Sequence, residues 1–300
     1  MHKITVVTPA GRKHYLALLK HYILKDDSID EWHLWDNCRN QQDREYIYEI
    51  SSEHKKIRIV SLPNVDGTNR SVNKFYSNCS VEDRFYIKVD DDIVYLPEGF
   101  GASLYSRALQ DKGKYLWWSP LVVNNAVCSW LIKYHSKVSL SDVISCQASD
   151  YNGWRNPIFA ERLHKIFLSS LEKGEKQKFE MQDFSVRLSR YSINCIGFWG
   201  EDVKKLGEQF CPLNVDDEEW ISAILPSQIN RYGKIVGNLI IVHFAFFTQE
   251  AYLLKSSILD SYYKIAGIKP EFYVIKKLSA KKRLRKMLKA LANRLLGAEY

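Results

Sequence analysis

An apolar run, Phe85–Val89, broken only by Lys88, leads into three consecutive carboxylates, Asp90, Asp91 and Asp92, and then back into apolar sequence at Ile93–Tyr95. Buried like charges repel, raise one another's pKa and persist only where a cation or hydrogen-bond donors compensate them. Strand alternation predicts that Asp90 and Asp92 share a face, a geometry that holds a hard divalent ion together with a ligand's oxygen atoms. An acidic turn facing solvent is the plain alternative. It explains poorly why the acids interrupt apolar sequence on both sides.

The segments around this feature alternate in type. KITVVTPA reads as a strand, His14–Leu24 as a helix, EWHLWD as a second strand bounded by the turn-like DNCRN, and 41–53 as a second helix. KIRIVSLP is a third strand and 71–79 a helix, and RFYIKVDDDIVYL is read as one long strand. Beyond Pro97 follow a helix of about ten residues, the strand YLWWSPLVVNN and a helix over 159–172. SINCIGFWGEDV reads as a strand and loop, DDEEWISAIL as a helix followed by Pro226, and KIVGNLIIVHFAFF as a last strand. This alternation predicts an α/β fold with a mostly parallel sheet flanked by helices, whose ligands bind outside the carboxyl ends of the strands.

The net charge of +8 is misleading as a global property. From position 276 onward there are nine Lys and Arg against Glu299, so this segment alone accounts for it and residues 1–275 are neutral. A basic nucleic-acid-binding domain is therefore not implied, and the tail has no aromatic within its basic stretch to stack on bases. Leu284, Met287, Leu288, Leu291 and Leu295 recur at helical spacing, predicting a C-terminal amphipathic basic helix suited to an anionic membrane surface. A helix packed on its own domain and a solvated tail are the bland alternatives. The longest apolar run, Leu239–Phe247, is about half of what a spanning helix needs. With no secretory signal pattern, the expected location is cytoplasmic, peripheral at the inner face of the plasma membrane. The six scattered cysteines predict reduced, mostly buried thiols. GxGxxG, GxxxxGK[ST] and HExxH are all absent.

FYIKVDDDIVYL resembles the DxD-containing strand of GT-A-fold glycosyltransferases, and the likeness extends over about residues 3–250. ITVVTPA resembles that fold's first, nucleotide-sugar-binding strand, DDEEW its acidic acceptor-side motif, and IVHFAFF a late strand carrying a metal-binding histidine. The resemblance implies a GT-A-like (Rossmann-like) domain over 1–270, with 271–300 as the tail. It also implies that a divalent metal, Mn²⁺ or Mg²⁺, is ligated by Asp92, with Asp90 on the metal or the ribose, next to Asp91. His243 is the candidate further ligand, since borderline metals accept imidazole beside carboxylate. Thr8, Pro9, Arg12, Asp36 and Asn37 occupy positions where such a fold contacts base and ribose, with ordinary turn chemistry as the alternative. Arg70 and Lys74 lie at a helix start suited to pyrophosphate. Lys88 either does the same or balances the triplet. Trp117, Trp118, Asn124, Asn125 and residues 197–199 are candidates to line a sugar site, although core packing accounts for the tryptophans as well.

Asp216, Asp217, Glu218 and Glu219 exceed what capping a helix requires. In an inverting transferase one such carboxylate deprotonates the acceptor hydroxyl. Asp217 is the expected base, with Glu218 and Asp216 as alternatives. If configuration is retained, the cluster binds the acceptor instead. The expected partners are a nucleotide sugar and a glycan, lipid-linked in keeping with the basic tail, in bacterial lipopolysaccharide or capsule synthesis. Two other readings compete: a metal-dependent nucleotidyl or phosphoryl transferase, and a catalytically silent glycan- or membrane-binding protein of the same fold.

Overall fold

The computed structural model describes residues 3–187 and 189–270, and the expected basic helix lies outside the described residues. The chain opens with β1 (Lys3–Ala10), α1 (Lys13–Lys25), β2 (Glu31–Asp36), α2 (Gln41–Glu53) and β3 (Ile57–Val60). In α1, Tyr15, Leu19 and Ile23 recur every fourth residue and are buried with Leu16, which seats the helix on the sheet. In place of one helix over 71–79 there is a short α3 (Asn69–Val72) followed by a 3₁₀ stretch, Asn73–Cys79. Asn73 commits its side-chain donor to the carbonyls of Pro212 and Val215, at 2.8 and 2.9 Å. A segment rich in Asn and Ser readily trades α-helix for such local and tertiary bonds.

The remaining elements are β4 (Arg84–Val89), β5 (Ile93–Tyr95), α4 (Phe100–Gln110), β6 (Trp117–Val123), α5 (Ala126–His135), α6 (Pro157–Glu172), β7 (Phe184–Val186), β8 (Cys195–Trp199), α7 (Gly200–Leu206), α8 (Asp217–Glu219), α9 (Leu225–Ile229), β9 (Gly233–His243), α10 (Phe247–Leu253) and α11 (Ile258–Ala266). Among the described residues nine strands form one sheet in the order β3-β2-β1-β4-β8-β6-β9-β5, with β7 also on β9. The half β3-β2-β1-β4 is parallel throughout, and β8 runs antiparallel to both β4 and β6. The expected α/β arrangement of a sheet flanked by helices is observed, but the sheet is mixed rather than mostly parallel: the parallel half is joined to β8, β6, β9, β5 and β7, among which antiparallel pairings predominate.

Two features of this sheet create the site. The connections from β1 through β2 to β3 run outward on one side, whereas β4 lies on the other side of β1, so the order reverses between β1 and β4. Ligands in open α/β sheets bind at such a switch point. The β1–β4 pairing stops at Val7–Lys88, while β1 continues against β2 as far as Ala10. Pro9, which has no N–H to give, therefore sits where β1 has lost its β4 neighbour. A crevice opens there.

The segment read as one long strand is two. β4 ends at Val89, opposite Cys195, the triplet turns away, and β5 pairs with the far end of β9, placing Ile93 opposite His243. The strict alternation expected for Asp90 and Asp92 is thereby broken. The turn contains no Gly or Pro to announce it, and Ile93 N–H closes it on the carbonyl of Asp90 at 3.2 Å. The helix expected to end at Pro226 instead runs on past it: α8 passes without a break into a π turn, Trp220–Ile224, and then into α9, whose first residues include Pro226.

The core includes Trp32, Trp35, Trp117, Trp118 and Trp199, all wholly buried. Gly197 lets β8 cross the ring of Phe85: a Cβ there would lie 2.3 Å from Phe85 Cζ. Gly197→Ala is expected to destabilise the protein by about 2 kcal/mol through overpacking, read as a lowered denaturation midpoint with unchanged denaturant slope.

Candidate active site

The triplet lies at the mouth of the β1–β4 crevice, and each acid has different company. Asp91, almost wholly buried, accepts from Gly11 N–H at 3.1 Å and from Arg12 Nε at 2.9 Å, and it is also paired with Arg12 Nη2. The same guanidinium reaches Asp92 Oδ2 at 3.0 Å, and His243 Nε2 meets that oxygen at 3.2 Å. Asp90, the most exposed of the three, is ion-paired to Lys88 and takes a 3.4 Å bond from Asn194 Nδ2. Asp90 and Asp92 thus have separate partners.

His243 is oriented from behind. Its Nδ1 lies 3.0 Å from the carbonyl of Asn124, which fixes the ring with Nε2 toward Asp92. Asn124 is itself held in the left-handed region, φ 63°, and donates to Phe244 O and Gln249 Oε1 at 2.9 and 3.0 Å. Burial opposes charge on His243, but the neighbouring Asp92 outweighs it and raises the imidazole pKa. Burial also disfavours a charged Asp92, yet Arg12 and His243 hold its carboxyl well below the usual range.

The cluster remains short of positive charge. Asp90, Asp91, Asp92, Asp217 and Glu250 face two permanent cations, Arg12 and Lys88. Two acceptor oxygens here, Asp92 Oδ1 and Asn124 Oδ1, are buried without a hydrogen-bond partner. Such orphaned acceptors are costly and call for a donor or a cation. Asp92 carboxylate and His243 imidazole are a donor pair that a borderline divalent ion accepts. Among the described residues no three His, Cys, Asp or Glu side chains are arranged to hold a metal by themselves, so a bound ion needs ligand oxygens as well.

The second acidic cluster is sorted by its neighbours. Asp216 caps α8 through Glu219 N–H at 2.9 Å. Arg190 neutralises Asp216 and Glu218, at 3.1 and 2.8 Å. Asp217 is left with Tyr76 OH, which donates to it at 3.3 Å. Burial first, and then Asp90, Glu218 and Asp216, push the Asp217 carboxyl up to about 6 against the opposing pull of Lys88. The buried Lys88 ammonium donates to Ile193 O at 2.8 Å and so stands between the triplet and Asp217.

Several expected ligand contacts are used internally. Thr8 is wholly buried, and its Oγ accepts from Trp32 Nε1 at 2.9 Å, leaving no face for a ligand. Trp117, Trp118 and residues 197–199 belong to the core rather than to a sugar site, because the strands β6 and β8 are covered on both faces. Asn125 caps α5 and bonds Ser192 O and Asn194. Lys88 balances Asp90 and lies too deep to meet a pyrophosphate directly. Asp36 is paired with Arg44 at 3.0 Å, and Asn37 is tied to Thr68 and Ser71. Gly11 lies between these elements: a Cβ there would be 3.3 Å from Asn37 O and 4.0 Å from Asp91 Oδ2. Arg70 is exposed on α3, and Lys74 bonds the carbonyl of Asn64, so neither touches the triplet in this structure. Sequence reasoning missed Glu250, which takes Tyr15 OH at 2.9 Å and Arg12 Nη1 at 3.5 Å. No spacing rule points from position 12 to position 250.

No protein-family model and no curated protein matches the sequence. Solved structures of similar shape include a mannosyltransferase from Pyrobaculum calidifontis in complex with GDP-mannose and Mn²⁺, at 12% identity, covering 88% of this chain and 64% of that one with a TM-score of 0.48. Glucosyl-3-phosphoglycerate synthase from Mycobacterium tuberculosis, in complex with phosphoglyceric acid, is similar at 12% identity over 90% and 82% of the two chains, TM-score 0.43. So is 4-diphosphocytidyl-2C-methyl-D-erythritol synthase from Anaerococcus prevotii, at 12% identity over 88% and 96%, TM-score 0.45.

Arg12→Ala leaves Asp91 and Asp92 buried without their shared cation. A loss of about 2 kcal/mol at pH 7 is expected, at the low end for a broken buried pair because the guanidinium is 36% exposed. Arg12 holds Asp92 below its ordinary value, a contribution present above pH 4 and lost as pH falls. Burial pushes Asp91, the nearer partner, up to about 6, so its share is lost as pH falls through 6, and the gap between variant and wild type, measured by chemical denaturation, is expected to narrow from about pH 6 and further below pH 4.

Proposed function

We propose that the chain is a divalent-metal-dependent glycosyltransferase of GT-A type that moves a sugar from a nucleotide-sugar donor to a hydroxyl of a glycan acceptor. The observation that carries the reading is the under-compensated acid cluster at the β1–β4 switch point, with the orphaned Asp92 Oδ1 beside His243. Asp92 and His243 are assigned to the metal, with Asp90 at its outer side toward the ribose. A divalent cation bound there supplies the positive charge that a departing nucleoside diphosphate requires. Asp91 holds Arg12 just before α1 and also takes Gly11 N–H, and Pro9 and Asp36, near the carboxyl ends of β1 and β2, with Asn37 just beyond β2, form the wall assigned to base and ribose. Arg70 and Lys74, on the segment that Thr68 and Ser71 tie to Asn37, are assigned to phosphate.

Asp217 is assigned as general base in an inverting displacement. It is ionised at pH 7 yet has more proton affinity than an ordinary aspartate, which suits removal of a hydroxyl proton. Its neighbours Asp216 and Glu218 are engaged by Arg190 and serve to raise it. The basic segment 271–300 supports placing the acceptor on a lipid at the inner face of the plasma membrane, as in bacterial lipopolysaccharide or capsule assembly. Among the described residues no helix is long and apolar enough to cross a membrane.

A thermal-shift panel of nucleoside diphosphates with and without Mn²⁺ tests the donor site, since a ligand that binds only the folded state raises its stability. One nucleotide is expected to stabilise wild type only with metal and to fail with Asp92→Asn. Release of pyrophosphate rather than nucleoside diphosphate during turnover points instead to nucleotidyl transfer. Asp217→Asn is expected to lower turnover roughly 10²–10⁴-fold while nucleotide stabilisation is retained. The wild-type rate is expected to rise with pH through about 6, the value to which Asp217 is pushed. An acidic limb near pH 4 moves the base elsewhere.

For the membrane assignment, truncation before Lys276 is expected to shift the protein from phosphatidylglycerol-rich vesicles to the supernatant in a flotation assay. Unchanged partitioning removes the tail from that role.

A further inference from the structure

Three aromatic side chains stand beside the acid cluster and are used neither by the core nor by the chemistry assigned above. Phe246, three residues beyond His243, packs edge-on against the imidazole, with ring centroids 4.7 Å apart. Trp154 meets Phe247 edge-to-face at 5.4 Å and Phe246 at 6.4 Å. Phe247 is 75% exposed and so leaves a ring available beside this cluster.

The arrangement is built rather than incidental. Trp154 lies in a π turn, Tyr151–Arg155, a rare local geometry that recurs at functional sites. Thr248 Oγ donates to Trp154 O at 2.8 Å, fastening that turn to the start of α10. Arg155 covers the Trp154 ring at 5.0 Å. Phe247 and Glu250 are three residues apart on α10 and share a face, and Glu250 is bonded to Arg12, which pairs with Asp91 and Asp92. One turn of helix therefore joins the exposed ring to the ion cluster.

We propose that the exposed ring of Phe247, held at steep angles against Trp154 and through it next to Phe246, is a stacking site for a pyranose ring of the acceptor glycan, an inference that rests on the glycosyltransferase reading. The apolar face of a pyranose presents C–H bonds with partial positive charge, and an aromatic face presents the negative lobe of its quadrupole. Rings already locked against each other lose little freedom on binding. The stacking site connects to His243 through Phe246, so a sugar resting on it lies at the edge of the site assigned to the donor phosphates. It also replaces the buried Trp117 and Trp118 as the aromatic contribution to sugar binding.

Saturation-transfer NMR on the full chain with cellobiose, lactose and mannobiose tests the stacking site, because stacking of this kind tolerates sugar identity. At least one disaccharide is expected to receive transfer from wild type, with affinity reduced about fivefold to tenfold by Phe247→Ala and by Trp154→Ala, and retained by Phe247→Tyr. Phe247→Ala removes an exposed ring, and its nucleotide stabilisation with Mn²⁺ is expected to match wild type, which also reports folding. Absence of transfer to all three sugars, or equal transfer in wild type and Phe247→Ala, overturns the proposal. So does a loss of phosphatidylglycerol-vesicle binding in Phe247→Ala with sugar transfer intact, which assigns the ring to a membrane. If Asp92→Asn leaves metal-dependent nucleotide stabilisation unchanged, the glycosyltransferase reading fails on that arm, while the sugar experiment still decides the stacking site.

Discussion

The structure is organised around three acids placed where two parallel strands part. Asp90, Asp91 and Asp92 leave β4 where it parts from β1, with Asp91 and Asp92 buried, and two of their three counter-charges come from distant parts of the chain. Arg12 arrives from the start of α1, His243 from the end of β9 and Lys88 from β4 itself. Each pairing therefore also fixes an element: Arg12 ties β1 to the triplet, and His243 ties the long last strand to the turn between β4 and β5. Buried ion pairs seldom improve on apolar residues of similar volume, whereas breaking one is strongly destabilising. Apolar side chains in place of the acids and their cations together would cost the fold little, whereas loss of the acids alone would strand Arg12, Lys88 and His243. Retaining three carboxylates there is a cost to folding that makes sense through chemistry.

That tension explains which parts of the molecule were legible in the sequence. The triplet stood out because it violates the apolar pattern on both sides of it, and the β/α alternation stood out because periods of two and 3.6 are local properties. Asp217 and His243 were singled out through the resemblance of DDEEW and IVHFAFF to motifs of GT-A enzymes. The break between β4 and β5 was invisible, because V-D-D-D-I-V-Y keeps an extended composition and carries no Gly or Pro. Trp117 and Trp118 were ambiguous by nature: the same residues line sugar sites and fill cores, and only burial on both faces of β6 decides. Thr8 reads as a ligand contact until Trp32 is seen to use its hydroxyl. Glu250, Tyr76, Trp154 and Phe247 reach the site only through tertiary packing, which no spacing encodes.

The four acids at 216–219 show how neighbours differentiate residues that the sequence leaves equivalent. Arg190 satisfies Asp216 and Glu218, and Asp216 additionally caps the helix. Asp217 has a phenol and a shared lysine. The π turn that follows, Trp220–Ile224, carries the chain into α9, whose first residues include Pro226. Local irregularity on this side and at Tyr151–Arg155 is concentrated around the same crevice, in keeping with sites that hold their groups by departing from regular helix.

Lys88 sets the balance between the two acidic groups. One ammonium serves both Asp90, with which it is paired, and Asp217, whose ionisation it favours from further away. A second cation at Asp217 would return its pKa toward 3.8 and make it a poor acceptor of a hydroxyl proton. Without Lys88, burial and the surrounding carboxylates would push it higher still, leaving less of it ionised at pH 7. A single lysine divided between the groups leaves Asp217 ionised at neutral pH and still basic. Asp90 also connects the two acidic groups directly: its carboxylate helps to raise Asp217, so a positive charge that neutralises Asp90 removes that contribution and lowers the proton affinity of the residue proposed as base.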